Sequence, residues 1–148
     1  MKVVRKYIIL VLCTLVCLGC STSRLSGDNT MVLTPPQKGQ IWQLVSMRGR
    51  DVKNGTIVTL TFNPETGNMH GKAQCNSYHA TFRLTPDDNC FRLVINNLGC
   101  TDISCPDAGM NAEIRYLALL TKVDAMTVTE YTLTLLSKGK EILKYELQ

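Results

Sequence analysis

The sequence predicts a mainly β (α+β) protein: a small antiparallel meander or barrel-like sheet with one helix packed on it. Three observations carry this expectation. Short runs between residues 42 and 147 alternate apolar and polar side chains with a period of two, compact turns rich in Gly, Pro, Asn and Asp separate them, and one stretch, residues 111–123, follows a helical period instead. The chain has 148 residues, 45% hydrophobic and 19% charged, which suits one compact domain and leaves no room for two of full size.

The chain opens with Lys2, Arg5 and Lys6, then an apolar run over residues 7–18, then Gly19 and Cys20, the pattern of an export signal. Twelve residues are too few for a spanning helix, which needs about 20, so cleavage is expected over a permanent anchor, with ordinary secretion the next reading after a lipoprotein. Leu18-Gly19-Cys20-Ser21 resembles a bacterial lipoprotein box, with Cys17 three positions before the cysteine where Leu is usual. That resemblance implies a signal peptide over residues 1–19 and lipidation at Cys20, the acyl chains (palmitate among them) holding the protein to a membrane without a transmembrane segment. Ser21 rather than Asp after the cysteine resembles the pattern sorted to the outer membrane, facing the periplasm. Overall charge is +4, but the signal carries three basic and no acidic groups, so the mature chain stands at +1 and a nucleic-acid partner is not expected.

Residues 20–40 are rich in Ser, Thr, Gly, Asn and Pro and read as a flexible, lipid-anchored tether, with an edge strand at residues 31–33 as the alternative. The folded domain is expected over residues 41–148. Strands are predicted at Trp42-Gln-Leu-Val-Ser, over residues 56–62 with Val58, Leu60 and Phe62 on one face, and over residues 69–73 after the turn Asn63-Pro-Glu-Thr-Gly67. Residues 78–84 alternate Tyr78, Ala80, Phe82 and Leu84 inward, and Pro86-Asp-Asp-Asn89 closes that strand. Phe91, Leu93 and Ile95 mark another strand, Met126 and Val128 the next, and residues 132–136 and 142–147 a last hairpin around Ser137-Lys-Gly-Lys140. After a loop over residues 96–109, Ile114, Leu117, Leu119 and Leu120 form a helical stripe over residues 111–123, with Asp107 or Asn111 available as the cap.

Seven cysteines are present, and four, Cys75, Cys90, Cys100 and Cys105, stay in the domain once Cys13 and Cys17 leave with the signal and Cys20 takes lipid. An oxidising compartment permits disulfides, and four cysteines allow three complete pairings that sequence alone leaves open. A strand beginning at Cys90 carries Cys100 well beyond the Cα separation of about 4.4–6.8 Å that a bond needs, whereas Cys75 and Cys105 meet more easily.

These residues also carry a family resemblance. Gly71-Lys-Ala-Gln-Cys75-Asn76-Ser-Tyr78-His-Ala80-Thr-Phe82 resembles a pattern of glycine, Gly-Cys-Asn, aromatic, glycine, aromatic; Thr101-Asp-Ile-Ser-Cys105-Pro106 with Glu113, Tyr116 and Leu120 resembles its companion. With Trp42-Gln-Leu44 at the start and Leu133-Thr-Leu135 near the end, residues 41–147 resemble the META domain family, which includes the HslJ-like heat-inducible proteins. Gln74, Ala80 and Ile103-Ser104 depart from the usual pattern. The resemblance implies a small barrel-like sheet with a helix, usually at the bacterial envelope, in a family without established catalysis and with members tied to stress response. Trp42, Gly71, Asn76, Tyr78, Thr101 and Glu113 are then structural motif residues.

Cys75 and His79 lie four residues apart, about 13 Å along a strand, too far for a thiol and its base. His70, Cys75, His79 and Cys105 have the right types for zinc but no paired close spacing, and an oxidised Cys75 is no ligand. No CxxC or phosphate-binding glycine motif occurs. Glu113, in the expected first turn of the helix, serves the helix dipole rather than acid catalysis, Asn76 holds its loop by side-chain hydrogen bonds, and Trp42 fills the core. No catalytic residue, metal or cofactor is implied. The function expected is a non-enzymatic envelope lipoprotein, a stress-related binding or envelope-integrity module. It would act as a monomer on an envelope protein or small ligand, with the membrane as its partner through Cys20. The alternative is a lipid-anchored inhibitor of a wall-degrading or proteolytic enzyme that inserts a loop such as residues 97–109.

Overall fold

A computed structural model describes residues 34–53 and 55–148. The signal segment, Cys20 and the tether up to residue 33, including the alternative strand at 31–33, lie outside the described residues. The described order is β1 (Trp42–Met47), β2 (Arg50–Asp51), β3 (Thr59–Asn63), β4 (Asn68–Lys72), β5 (Ser77–Asp87), β6 (Cys90–Cys100), α1 (Asp107–Leu120), β7 (Ala125–Val128), β8 (Thr132–Ser137) and β9 (Lys140–Leu147).

Every pairing is antiparallel, and from β3 onward each strand pairs with the next. β1 then joins β3 on one edge and β9 on the other, with Trp42 opposite Leu60 and also opposite Leu147. Eight strands thus close into a barrel, which leaves β2 as a two-residue flap on the end of β1. Closure removes the exposed edges through which an open sheet would pair with other chains.

The period-two pattern explains the packing. Trp42 and Leu44 of β1, Leu60 and Phe62 of β3, and Leu133 and Leu135 of β8 are all buried, each separated by a more exposed residue that faces outward. Phe62 meets Phe82 edge to face, with ring centroids 4.9 Å apart. The last hairpin turns on Lys138 and Gly139, both at positive φ (51° and 72°), the twist that a two-residue loop between antiparallel strands requires.

Several boundaries differ from the sequence expectation. β5 does not stop at Leu84 but runs through Pro86 to Asp87; β4 reaches only as far as Thr81 on its other side, so the proline's missing N–H costs no ladder bond there. β6 extends to Cys100, and the expected loop shrinks to residues 101–106. The helix starts four residues earlier than its apolar stripe, at Asp107, with Pro106 at the cap position and no side-chain cap from Asp107 or Asn111. Proline fixes φ near the helical value and gives up an N–H that has no partner there in any case. The buried face is Glu113, Tyr116, Leu119 and Leu120, while Ile114, expected inward, is 58% exposed. Glu113 faces inward because its carboxylate accepts from the Cys75 and Asn76 N–H groups and the Asn76 side chain. Ahead of Ile41, Pro36 is buried and Lys38 reaches Glu65 at 2.7 Å, so the chain from residue 34 already lies on the domain.

Candidate functional site

Two places on the domain gather side chains that could act. One lies where the β4–β5 connection meets the β6–α1 connection. Cys75 and Cys105 form a disulfide with Cα atoms 6.3 Å apart, the pairing that the strand geometry favoured. Cys90 and Cys100 are both free and end opposite tips of β6, as expected from its length.

Asn76 sits beside that bond, 1% exposed, with every polar atom of its side chain engaged. Its Nδ2 donates to Glu113 Oε1 (2.8 Å) and to the Ile103 carbonyl (3.2 Å), and its Oδ1 accepts from Thr101 Oγ1 (2.8 Å) and the Ile103 N–H (2.7 Å). Glu113, 4% exposed, accepts from the Asn76 N–H (2.6 Å) and the Cys75 N–H (3.1 Å) with its other oxygen. Because the helix begins at Asp107, Glu113 lies in its second turn, so the expected service to the helix dipole is corrected: the carboxylate instead terminates the backbone of the Cys75-Asn76 turn. A buried carboxylate is tolerated when donors saturate it, and three donors do so here.

Gly71 and Tyr78 continue this framework into the barrel. A Cβ at Gly71 would collide with the Thr59 carbonyl oxygen, to which Tyr78 Oη donates at 2.8 Å. Since the single Tyr78 proton is spent on that carbonyl, Tyr116 must donate to Tyr78 (2.7 Å), and Tyr145 donates to Tyr116 (3.1 Å). The three phenols form a one-way chain through the core, and burial, followed by the neighbouring tyrosine, pushes each pKa well above the ordinary value. Trp42 is fully buried beside them in the core; its Nε1 is the one buried side-chain polar atom without a partner among the described residues.

The disulfide takes Cys75 and Cys105 out of any thiolate or zinc set with His70 and His79. His70 and His79 do face each other across β4 and β5, yet the His79 ring leans over Gly99 on β6, away from His70. The free thiol of Cys100 is pushed up by partial burial first, then by the carboxylates of Glu113 and Asp102, so little of it is the nucleophilic thiolate at neutral pH.

The second place was missed by sequence reasoning. A groove of about 1040 Å³ lies between α1 and the β1–β2 hairpin with the segment after it. Met47, Val52 and Val58 line it on one side and Ala108, Ala112 and Leu119 on the other, so its floor is apolar; the small residues of α1 leave the space. Arg48, Arg50, Lys53, Arg115 and Lys122 surround that floor, against the single acid Asp51. Residues 41–148 carry eleven basic and eleven acidic side chains, and the groove holds five of the former and one of the latter. The legible signal was the cluster Arg48, Arg50 and Lys53, which a balanced net charge concealed.

Comparison with known proteins places this arrangement. The profile of the META domain matches residues 34–148. This chain belongs to the META domain family. Its match begins at residue 34, ahead of the expected start at 41 and in keeping with the buried Pro36. An NMR structure of a protein from Burkholderia xenovorans is similar to this META domain, with a TM-score of 0.59 at 24% identity over 82% of this chain and 96% of that one. A second NMR structure is similar with a TM-score of 0.54 at 19% identity, covering 75% of this chain and 91% of that one. Both likenesses concern the fold. No curated protein matches the sequence. Within the META domain, the residues that carried the resemblance are those of the hydrogen-bonded framework: Gly71, Asn76, Tyr78, Thr101 and Glu113 are joined in it, and Trp42 fills the barrel.

Proposed function

We propose that this META domain protein is a non-enzymatic binding module of the bacterial envelope, tethered through lipid on Cys20 to the outer membrane, facing the periplasm and supporting envelope integrity under stress. One observation carries the reading: Asn76, Glu113 and the Cys75–Cys105 pair are committed to the framework, while the groove beside α1 is left open with an apolar floor and a cationic rim. Concave, largely apolar sites with a few polar groups at the rim are the usual form of a ligand site. The disulfide suits an oxidising compartment, as export would provide. Intact mass of the protein purified from membranes, with alkylation before and after reduction, tests the anchor and the bond together. The expected product begins at acylated Cys20, with Cys90 and Cys100 alkylated at once and Cys75 and Cys105 only after reduction. An unacylated product with Cys75 labelled at once would overturn the reading and reopen thiol chemistry.

A second reading, a tethered inhibitor of a wall-degrading or proteolytic enzyme, has one feature in its favour. Ile103 is 58% exposed, yet its N–H and carbonyl are both held by the Asn76 side chain and a disulfide lies two residues away, so an apolar side chain stands on a rigid loop. The loop is residues 101–106 rather than the longer segment expected. Under this reading Ile103→Glu abolishes inhibition of the target hydrolase, and failure of the unaltered chain to inhibit any envelope hydrolase or protease removes it.

A further inference from the structure

The groove beside α1 has a composition that selects its ligand, an inference that rests on the binding-module reading. Its floor is mostly hydrocarbon, from Met47, Val52, Val58, Ala112 and Leu119, with Thr56, Gln74 and Asn111 adding a few polar groups to the lining. Its rim offers almost only positive charge, five cations against Asp51, and none of the five is in an ion pair among the described residues. The remaining basic groups of the domain are offset by acids elsewhere, so this concentration is local and its field is directed at whatever enters the groove.

An occupant must therefore bury apolar surface and present negative charge at once. The groove follows α1 from Ala108 to Lys122, and a helix of 14 residues is about 21 Å long at ~1.5 Å per residue. A single acyl chain spans about half of the ~30 Å hydrocarbon core of a bilayer, so one fits along the helix with length left for its head group. An acidic peptide would satisfy the rim but leave the floor without apolar cover, and an uncharged lipid would satisfy the floor but leave the guanidinium groups unmatched.

We propose that the groove binds a free long-chain fatty acid, its acyl chain along α1 and its carboxylate among Arg48, Arg50, Lys53, Arg115 and Lys122. Arginine provides forked donors for a carboxylate, and lysine adds charge without that geometry, so the arginines position the head group and the lysines draw it in.

The test uses the full chain in neutral phosphatidylcholine vesicles, with palmitate carrying a photoreactive diazirine as the probe and peptide mapping of the adducts as the readout. Adducts are expected on residues 47–58 and 108–122. Labelling should fall by about tenfold or more for the photoreactive alcohol of equal length, and equally in the triple variant Arg48→Glu, Arg50→Glu, Lys53→Glu, whose substitutions are all on exposed side chains. Ala112→Trp, checked for an intact disulfide, should block labelling by filling the floor. Equal labelling by acid and alcohol, labelling indifferent to both variants, or displacement by an oligoglutamate peptide but not by unlabelled palmitate would each overturn the proposal. A photoreactive residue at exposed Ala118 in cells separates the two readings. If palmitate fails while that residue captures another molecule in the native chain but not in the triple variant, the fatty acid falls and the binding module stands. If neither probe reacts in the groove, both fall.

Discussion

The two sites against helix α1 differ in how fully their polar groups are used. At the Cys75–Cys105 tie, Thr101, Ile103 and Glu113 leave no donor or acceptor of the buried Asn76 side chain free. At the groove, five cations stand around an apolar floor with no protein partner among the described residues. A saturated cluster resists change and offers nothing to a ligand; an unsaturated one costs the fold little and is available. The lesson is that the residues which identify this family hold the structure, and the surface able to recognise something lies among residues outside the motifs.

Four outcomes would sharpen or break that contrast. Asn76→Ala removes four side-chain hydrogen bonds and strips a donor from buried Glu113, and at about 1 kcal/mol net per bond the expected loss is ~4 kcal/mol, read from chemical denaturation. A loss under 1 kcal/mol would mean that the cluster is not the tie described here. Replacing both Cys75 and Cys105 by Ser opens a loop of sequence separation 30, for which chain entropy gives about 3–4 kcal/mol, with a matching fall in Tm.

The buried phenols supply a pH signature. Tyr78, Tyr116 and Tyr145 have folded pKa values well above the unfolded value of about 10, so the unfolded chain releases protons first on raising the pH. Their contribution is fully present below about pH 10 and is lost above it, at up to about 1.4 kcal/mol per pH unit for each tyrosine. Denaturation midpoints should therefore be flat in these groups from pH 7 to 9 and fall steeply beyond 10; ultraviolet titration of all three near pH 10 in the folded protein would contradict the hydrogen-bonded chain. The smallest effect is expected in the groove. Arg48→Glu with Arg50→Glu should change stability by no more than about 0.5 kcal/mol, since both are exposed and unpaired, while abolishing capture of the fatty-acid probe. A large destabilisation would make the rim part of the framework and erase the contrast.

Much of the barrel was legible because its strands bury one face: Val58, Leu60 and Phe62, or Leu133 and Leu135, declare both strand and orientation through the period of two. The reach of an extended strand argued against a Cys90–Cys100 bond, and the Cys75–Cys105 contact was only the easier of those left open. The ends of elements were not legible. Pro86 reads as a turn unless one knows that β4 has already ended, and Asp107, one of the two cap candidates, is instead the first helical residue because Pro106 holds the cap position without a side-chain bond. Glu113 and Ile114 were assigned to the wrong environments for one reason: a helical stripe read by hydrophobicity assumes that charge faces water, and here the charge faces inward onto two backbone N–H groups and an Asn amide. The groove was invisible because it joins residues 47–58 to residues 108–122, and no local pattern connects segments so far apart.

The central claim is that the motif cluster is the rigid tie and the groove is the receptive surface. Residue-resolved amide hydrogen exchange of the full chain in neutral vesicles, with and without palmitate, tests both halves at once. The account predicts slow exchange at Cys75, Asn76 and Ile103 in either condition, because Glu113 and the Asn76 side chain hold those three N–H groups, with palmitate slowing only residues 47–58 and 108–122. Rapid exchange at Cys75 and Asn76, or protection by palmitate confined to residues 101–106, would contradict it.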